Sequence, residues 1–505
     1  MMCSDRGELS SGEIFFVFVA DCAVLTEADK ESLFHYRRIS RELGACFGVL
    51  QQDGVSEAFQ VFGHLSDFLK MEHAGTFFFI SGASVKLHGE IVEDILFDHM
   101  ENRFDITGWS DFYKYNIAAD TGGVFPVIYS KEALSKFLPY SEERSCEEIF
   151  KIGIPEDGLA DATIYYYEPS IEVLEFLPML KRNFNNSGLY PTGVAISTSE
   201  VCNLKCRMCH AHSQDFGDNA LNDYYSFYKR HYSNGMMSIE DFSSIVDQVK
   251  KSFPAVKNLY LSGTGEPILN KHLPAFLEIL TQSGYSSSLT TNATLLRKEI
   301  AEQLFKAGLN HIDISLDAFK PETYSEIRGG DLSKVLYHIE SCMESANKYG
   351  VKTMVNMTLQ NGNIQEMGEF TDFWINKVDM VGLWNCHLVK KFRAPLFFEP
   401  YKKVLCKQIF SGLVLSSDGH SWTCCGGGPV EGNIGNWKEA GLADLWTSDR
   451  LVEWQDRMLD GESGNIPMCR ECEVWLLHSL MLKKVSHDRV ELVTPGEQIV
   501  RKIRK

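Results

Sequence analysis

The stretch TGVAISTSEVCNLKCRMCHAHS, residues 192–213, joins a short apolar segment to a loop that carries three cysteines. Cys202, Cys206 and Cys209 are separated by three and by two residues, and no fourth cysteine follows them on the loop. Structural zinc sites normally use four ligands, often supplied as two separated pairs. Three thiolates on one short loop are instead typical of a metal centre that keeps one coordination position open.

The segments after this loop alternate between strand and helix patterns. Five of them are predicted strands: TGVAIST, NLYLSG, SSLTTNA, HIDISLDA and KTMVNMTL. Amphipathic segments such as IEDFSSIVDQVKKSF and LPAFLEILTQSG lie between them and are predicted helices. This alternation predicts α/β structure with a parallel barrel or part of one, which binds ligands at the carboxyl ends of its strands. Because the three-cysteine loop follows the first strand directly, we expect it at that functional end.

The same patterns divide the chain into four parts. Residues 1–185 alternate strands such as EIFFVFVAD and GTFFFISGAS with the helical segment EADKESLFHYRRISRELG, and they predict an α/β domain with a mostly parallel sheet. A polar linker, residues 181–191, leads into the barrel pattern of residues 186–394. Residues 395–485 are rich in Gly and Cys and predict a small third module. Residues 486–505 form a basic tail, and its last six residues, VRKIRK, are expected to be a solvated end.

Composition and charge narrow the class of protein. The 505 residues are 44% apolar and 23% charged, which is typical of a globular chain. The net charge is −19 and no segment has a strongly basic face, so nucleic acid is a poor candidate partner. No signal peptide or membrane span is recognisable, and we expect a cytoplasmic protein. In a reducing compartment the 14 cysteines are not expected to form disulfides, and their local clusters indicate metal.

The segment CNLKCRMC after a first barrel strand resembles the cysteine signature of the radical S-adenosylmethionine (radical SAM) enzymes. In that family three cysteines hold three irons of a [4Fe–4S] cluster, and the open iron binds S-adenosylmethionine (SAM). The resemblance implies reductive cleavage of SAM to a 5′-deoxyadenosyl radical, which abstracts hydrogen from a substrate. It also implies an electron donor such as flavodoxin or ferredoxin. Met208 stands where the family usually has an aromatic residue beside the adenine.

Three further segments resemble SAM-contacting elements of the family, in the family's order. GTGE at 263–266 resembles the element that receives the amino group of SAM, although alone it would be an ordinary strand-end turn. LTTNATLL resembles a Thr-Asn-Gly strand end in which Ala293 replaces glycine, and this leaves the role of Asn292 open. Ser315 and Arg328 match the family's serine and arginine contacts, although Arg328 could also simply cap a helix. The implied cofactor-binding residues are Met208, Gly263, Thr264, Gly265, Glu266, Ser315 and Arg328.

The carboxyl-terminal module carries a second set of cysteines. Its order of cysteines and glycines, with the segment GNIGNWKEAGLADLW between its halves, resembles the SPASM domain. No cysteine follows Cys472, so the resemblance is to the shortened twitch form with one auxiliary [4Fe–4S] cluster. Cys425 is an alternative to its neighbour Cys424, and four cysteines with a CxxC pair suit structural zinc equally well. The implied ligands are Cys406, Cys424, Cys469 and Cys472.

An auxiliary cluster held entirely by protein ligands is suited to electron transfer. The resemblance therefore implies a net oxidation of a peptide, a protein or a small molecule, with that cluster as electron acceptor. A redox-neutral rearrangement or epimerisation is an alternative, and so is a zinc-stabilised scaffold without catalysis. Several side chains could move the proton, and none is assigned. They are His210, His212, Asp313, Glu366 and His387.

The amino-terminal part resembles a nucleotidyltransferase-like domain in general pattern only. The acid expected for metal and nucleotide binding is missing after FFFISGAS, and no glycine-rich phosphate loop follows FFVFVAD. Asp21 and Asp120 are more typical of turn residues. The resemblance implies a degenerate domain that serves recognition.

Overall fold

The structure is a computed structural model of the chain. From 191 to 502 it describes every residue except 192, 210, 214–234, 255, 387–391, 399–405, 407, 425–430, 471, 478–481 and 487. Before 191 it describes residues 14–20, 27–42, 46–51, 60–62, 76–81, 92, 95, 96, 99, 106–109, 127–130 and 163–167. Five residues named above lie outside the described ranges, as does nearly all of the predicted linker. They are Asp21, Asp120, His210, His387 and Cys425.

The described amino-terminal residues form a sheet with one packed helix. Its elements are β1 (Ile14–Ala20), α1 (Glu27–Glu42), β2 (Cys46–Gln51), β3 (Gln60–Phe62), β4 (Thr76–Ser81), β5 (Ile106–Trp109), β6 (Val127–Ser130) and β7 (Thr163–Tyr167). β1 pairs in parallel with β2 and β4, whereas β6 runs antiparallel to β4 and β5. Phe16 and Phe78 stack at 4.8 Å between ring centroids. The predicted strands EIFFVFVAD and GTFFFISGAS are confirmed as β1 and β4, and the predicted helix as α1.

Six parallel strands with intervening helices form the centre of the fold. The elements are β8 (Gly193–Ile196), α2 (Ile239–Ser252), β9 (Asn258–Leu261), α3 (Leu273–Gln282), β10 (Ser286–Thr291), α4 (Lys298–Lys306), β11 (His311–Ser315), α5 (Pro321–Arg328), α6 (Leu332–Tyr349), β12 (Lys352–Leu359), α7 (Met367–Trp374) and β13 (Met380–Asn385). Each strand pairs in parallel with the next one in sequence. The predicted partial barrel is confirmed.

The helices cover one face of these strands because their apolar residues recur at helical spacing. In α2 the buried residues are Phe242, Ile245, Val246 and Val249. The same helix begins where the Ser238 hydroxyl accepts a hydrogen bond of 3.0 Å from the backbone N–H of Asp241. Alternate residues of each strand pack against this helical layer.

The carboxyl-terminal module adds strands to both edges of the barrel sheet. Its elements are α8 (Gln408–Ser411), β14 (Gly412–Leu415), β15 (His420–Trp422), β16 (Asn433–Asn436), α9 (Leu442–Trp446), α10 (Asp449–Leu459), β17 (Leu482–Val485), β18 (Arg489–Val493) and β19 (Glu497–Lys502). β14 pairs in parallel with β8, and β19 pairs antiparallel with β13. Neither β8 nor β13 is therefore left as an exposed edge.

The predicted solvated end, VRKIRK, is wrong at Val500, which is buried in β19, and residues 503–505 lie outside the described ranges. β18 and β19 pair with each other, and β17 pairs with β7 of the amino-terminal sheet. Val490 and Val500 are fully buried, because the segment alternates apolar with charged residues and presents one face to the core. The same strands join the amino-terminal sheet to the barrel. None of the described helices has the length and apolarity needed to cross a membrane.

Val500 provides a test of this arrangement. It faces Val381 in the β13–β19 register and has no exposed surface. We expect Val500→Asp to lose more than about 3 kcal/mol of unfolding free energy, because the carboxylate would be buried without a partner. Guanidinium denaturation followed by circular dichroism measures this loss. Lys502→Gln is the control at an exposed position of the same strand and should change stability by less than about 0.5 kcal/mol. Equal stability of the two variants would contradict a buried β19.

Candidate metal and cofactor site

The three-cysteine loop begins directly after β8 and is held by backbone hydrogen bonds. The N–H of Arg207 donates to the carbonyl of Ile327 in α5 at 2.9 Å, and that of Cys209 donates to the carbonyl of Cys206 at 2.9 Å. Cys206 is buried, and Cys202 and Cys209 are half-buried. The loop therefore lies at the carboxyl end of the barrel strands, as expected.

The chemistry of the three thiols fits an iron–sulfur cluster. Burial raises the pKa of Cys202 and Cys206, and it raises the pKa of Cys209 to about 12. Each neighbouring thiolate raises the pKa of Cys209 further, so the three sulfurs lie close enough to influence one another. Within the described residues, no three His, Cys, Asp or Glu side chains already converge as ligands on one point. Soft sulfur donors that are shielded from water require a cation to become thiolates, and iron supplies that charge.

Two glycines allow the end of β9 to pack against the cysteine loop. A Cβ atom at Gly263 would lie 2.0 Å from Ser197 Oγ, and one at Gly265 would lie 2.3 Å from the carbonyl oxygen of Ser199. No side chain could occupy either space without moving the loop backbone. These two glycines therefore permit close approach of the loop to the end of β9.

Glu266 joins the ends of two neighbouring strands. Its backbone N–H donates to the carbonyl of Val201 at 2.8 Å. Its buried carboxylate accepts hydrogen bonds from the Asn292 N–H at 2.8 Å, the Ile268 N–H at 3.1 Å and the Thr291 hydroxyl at 2.7 Å. Burial raises the pKa of Glu266, and these donors oppose the rise. The carboxylate thus connects the cysteine loop, the end of β9 and the end of β10.

Arg328 and Ser315 both border the loop, and Arg328 already has a partner. Ser315 is the half-buried last residue of β11, and Met208 lies half-buried within the loop. Arg328 is 7% exposed, and its Nη2 atom lies 2.6 Å from Oδ2 of the fully buried Asp317. The Arg328 guanidinium beside Cys206 opposes the rise in the pKa of that thiol. Its Nε atom is buried without a hydrogen-bond partner and remains a donor for a ligand.

Asp317 was not identified from the sequence. Its φ of 64° places it in the left-handed region, and its Oδ1 accepts a hydrogen bond of 2.6 Å from the Thr358 N–H. Asp is among the residue types that tolerate this conformation. The sequence signal for this pair was an aspartate that lies two residues beyond a strand end and is followed by an arginine on the next helix.

Ala293 keeps the backbone shape of the glycine that it replaces. Its φ is 58°, in the region where glycine is usual, and its side chain is fully buried. The Thr291 hydroxyl accepts a hydrogen bond of 3.1 Å from the Ala293 N–H, and a ring nitrogen of His338 lies 3.1 Å from the Ala293 carbonyl oxygen. These contacts hold the strained turn in place.

Glu200 connects the cysteine loop to the carboxyl-terminal module and was also missed. It accepts hydrogen bonds from the Thr264 hydroxyl and, at 3.3 Å, from the Ser417 N–H in the turn between β14 and β15. Burial raises the pKa of Glu200 to about 7. The β8–β14 pairing is continued by a hydrogen bond of 2.8 Å from the Ser197 N–H to the Leu415 carbonyl.

Two of the candidate acids and bases serve the fold. The His212 ring lies with Nε2 3.0 Å from the Thr264 carbonyl oxygen, and burial lowers its pKa. The Glu366 carboxylate is buried and accepts hydrogen bonds from the backbone N–H groups of Phe319 at 2.7 Å and Lys320 at 3.1 Å. Glu366 thereby satisfies free backbone donors at the start of α5.

Asp313 is the third of the candidate acids and bases that lie within the described residues, and it belongs to a row of polar side chains. This row lies on the inner face, which we define as the face of the barrel sheet opposite the helices. In β11, Ile312 and Ile314 are fully buried in the core, so the alternate residues His311, Asp313 and Ser315 face the other way. His311 Nε2 lies 3.2 Å from Asp313 Oδ1. The alternation in HIDIS was the sequence signal for this row.

The inner face also holds polar atoms without hydrogen-bond partners. Asn356 pairs with Ser315 across β11 and β12, and its Oδ1 atom is buried and unpartnered. A Cβ atom at Gly382 in β13 would lie 2.3 Å from that oxygen. His311 Nε2 and Asp313 Oδ1 are likewise buried, and neither has a hydrogen bond. His311 Nε2 and Asp313 Oδ1 lie 3.2 Å from each other, so Asn356 Oδ1 is the atom of the three that has no polar partner.

The second cysteine set lies on the carboxyl-terminal module. Cys424 is buried just beyond β15, and Cys406 is half-buried just before α8. Cys469 ends a short 3₁₀ turn, and the N–H of Val474 donates to Cys472 Sγ at 3.3 Å.

The turn between β14 and β15 requires the glycine that the sequence pattern indicated. Gly419 has a φ of 103°, and a Cβ there would lie 2.1 Å from Asn436 Oδ1. The Trp437 indole N–H donates to the Ser416 carbonyl at 2.8 Å, and the Trp437 backbone N–H donates to the Gly419 carbonyl at 2.8 Å. These contacts connect the glycine turn to the Trp-containing segment.

Known proteins resemble both parts of this site. The Radical SAM superfamily model matches residues 196–373, and the model of the iron–sulfur cluster-binding domain SPASM matches residues 406–473. A probable GTP 3′,8-cyclase of Methanococcus vannielii is 36% identical over 150 residues, which cover 29% of this chain and 44% of that protein. A second probable GTP 3′,8-cyclase, from Sulfolobus acidocaldarius, is 31% identical over 198 residues. These cover 38% of this chain and 56% of that protein. The chain thus spans about half the length of these curated relatives.

Solved structures resemble the chain at low identity. Streptococcus suis SuiB bound to its precursor peptide SuiA has a TM-score of 0.44 and 17% identity, covering 68% of this chain and 85% of SuiB. AnSMEcpe with bound AdoMet has a TM-score of 0.41 and 20% identity, covering 56% and 88%. BtrN in complex with AdoMet and 2-DOIA has a TM-score of 0.37 and 14% identity, covering 56% and 93%.

The family matches agree with the loop, the strand ends and the second cysteine set described above. The chain belongs to the radical SAM superfamily and carries a carboxyl-terminal SPASM iron–sulfur domain. The cofactors of these two matched regions are a [4Fe–4S] cluster with SAM and an auxiliary iron–sulfur cluster. Both matches favour iron–sulfur clusters over the alternative of a zinc-stabilised scaffold.

The Arg328–Asp317 pair predicts a large cost of substitution. We expect Asp317→Asn to lose about 3 to 5 kcal/mol of unfolding free energy, because it leaves a buried guanidinium without its counter-charge. Asn tolerates the left-handed backbone, so backbone strain does not add to the loss. Urea denaturation measures it. The matched control is Glu340→Gln, which breaks an exposed pair with Lys377 at 3.2 Å and should cost no more than about 1 kcal/mol. Similar losses in the two variants would contradict a buried pair.

Substitution of Asp313 is expected to raise the unfolding free energy, by an amount that depends on pH. Burial raises its pKa, and His311 opposes the rise. Its contribution to stability is therefore fully present below its ordinary pKa of about 3.9 and is lost as pH rises through the higher folded value. We expect Asp313→Asn to be more stable than the natural chain at pH 7, by about 1.4 kcal/mol for each pH unit between the two pKa values.

Thermal unfolding of this variant between pH 4 and pH 8 checks the expectation, and the difference should vanish near pH 4. Glu322→Gln, at an exposed position on α5, should show no such trend. A variant that is less stable than the natural chain at pH 7 would show that His311 makes the ionised carboxylate stabilising.

Proposed function

We propose that the chain catalyses an oxidative modification of its substrate, with the auxiliary cluster as electron acceptor. The observation that carries this proposal is the pairing of β14 with β8. The cysteine loop continues from β8, and the glycine turn that precedes Cys424 continues from β14. One hydrogen-bonded ladder thus supports both cysteine sets, and electron transfer benefits from sites that are held at a fixed separation.

We assign the metal ligands by the match between motif and position. Cys202, Cys206 and Cys209 hold the cluster that binds SAM. Cys406, Cys424, Cys469 and Cys472 hold the auxiliary cluster. The SAM-binding residues are Met208, Gly263, Thr264, Gly265, Glu266, Ser315 and Arg328. Arg328 is suited to a carboxylate, since its unpartnered Nε and its pairing with Asp317 fix the direction of the guanidinium.

When bound, the clusters and SAM supply hydrogen abstraction from the substrate and an acceptor for one electron. The chain must then accept one proton, because removal of a hydrogen atom, a proton and an electron is a two-electron oxidation. We assign the proton to Asp313, which lies on the inner face beside His311. Its raised pKa makes it a stronger base than an exposed aspartate. Asn356 on the neighbouring strand would hold a polar group of the substrate.

The substrate class is a peptide, a protein or a small molecule. A redox-neutral rearrangement is the second candidate, and one observation favours it: the curated relatives are named cyclases. Ring formation does not require a net loss of electrons from the substrate. The two candidates differ in whether the auxiliary site must accept an electron, so zinc in that site would exclude the oxidative candidate.

The deciding measurement is anaerobic iron, sulfide and zinc content together with 5′-deoxyadenosine formation. We expect about eight irons per chain in the natural protein and about four in the triple variant Cys202→Ala/Cys206→Ala/Cys209→Ala, with 5′-deoxyadenosine lost. Cys342→Ala is the matched control, because this buried cysteine lies in α6 and outside both sets. Four irons plus one zinc in the natural protein would contradict the acceptor role, and retained cleavage in the triple variant would contradict the ligand assignment.

A further inference from the structure

Asn292 lies at the carboxyl end of β10, against the cysteine loop. It is 5% exposed, and its backbone N–H donates to Glu266 Oε2 at 2.8 Å. The left-handed turn at Ala293 follows it directly. The position of Asn292 is therefore fixed from both sides, and its side chain has little freedom.

Hydrogen bonds also fix which way the side-chain amide points. Asn292 Oδ1 accepts from the Thr294 N–H at 2.9 Å and from the Thr294 hydroxyl at 2.6 Å. A backbone N–H can only donate, so the oxygen must face Thr294 and the NH₂ group must face the loop. There Nδ2 lies 3.0 Å from Asn203 Oδ1 and 3.8 Å from Cys202 Sγ. The two N–H bonds of one amide thus have two acceptors, one oxygen and one sulfur.

We propose that Asn292 is a positioning residue that donates an N–H···S hydrogen bond to Cys202 and thereby raises the reduction potential of the SAM-binding cluster. The inference rests on the proposed assignment of Cys202 as a ligand of that cluster. A donor at a ligating sulfur withdraws electron density and stabilises the reduced, more negative cluster. This matters because the reduced cluster is the state that cleaves SAM.

The test is the midpoint potential of the SAM-binding cluster in the anaerobic holoenzyme. Electron paramagnetic resonance follows the reduced cluster during a redox titration, and the signal that changes on addition of SAM identifies it. Absence of that signal from Cys202→Ala establishes the ligand assignment separately. Two variants remove the donor. Asn292→Leu replaces the amide with an apolar group of similar size, and Asn292→Asp keeps an acceptor for Thr294 but has no N–H.

We expect the equilibrium constant for reduction to fall about tenfold in both variants, which is about 59 mV for one electron. Asn203→Ala is the matched control, since it removes the other acceptor of the same amide and leaves the bond to sulfur. Its potential should equal that of the natural protein. An unchanged or raised potential in Asn292→Asp would overturn the proposal. This result would count even if Asn292→Leu failed to retain its cluster. An equal fall in Asn203→Ala would overturn it as well, because loop displacement would then be the cause.

Discussion

The site depends on the absence of two side chains. Gly263 and Gly265 allow the end of β9 to lie directly on the backbone of the cysteine loop, at distances that exclude a Cβ atom. This contact brings Glu266 close to the end of β10, where its carboxylate accepts hydrogen bonds from the Asn292 N–H and the Thr291 hydroxyl. Glu266 thereby connects β9 to β10. A loop of three cysteines has little regular structure of its own. Its shape is imposed by the strand ends on which it rests, and these are rigid because both edges of the sheet are covered.

The buried charged side chains around the loop are paired or hydrogen-bonded. Arg328 and Asp317 form a buried pair beside Cys206, and Glu266 and Glu200 are buried on other sides of the loop. Each carboxylate is matched by backbone or hydroxyl donors, which is how buried anions are tolerated. The Arg328 guanidinium therefore lies beside Cys206, and the carboxylates are stabilised by hydrogen bonds. A ligand that carries both an amino group and a carboxylate would meet complementary groups here.

Sequence reasoning identified the parts of the fold that have strong local signals. The strands β8 to β12 were predicted from the alternation of strand and helix patterns, and the three-cysteine loop was assigned to the functional end of the sheet. β13, with the sequence MVGLWN, was not predicted, since it is short and contains a glycine. Asp317 and Glu200 were missed because each acts through a partner far away in sequence. The inner-face row was visible in the alternation of HIDIS, but only the register with β12 shows that Asn356 lies beside it.

The strands β17 to β19 lie in the middle of the sheet, between β13 and β7, although they follow every other strand in sequence. Residues 482–502 are synthesised after β7 and β13, so the strand edges that they cover stay unpaired until this segment has been made. Among the described strands, the barrel sheet and the amino-terminal sheet are joined through this segment. A chain cut before residue 482 would therefore expose one strand edge on each sheet, and exposed edges favour pairing with other chains.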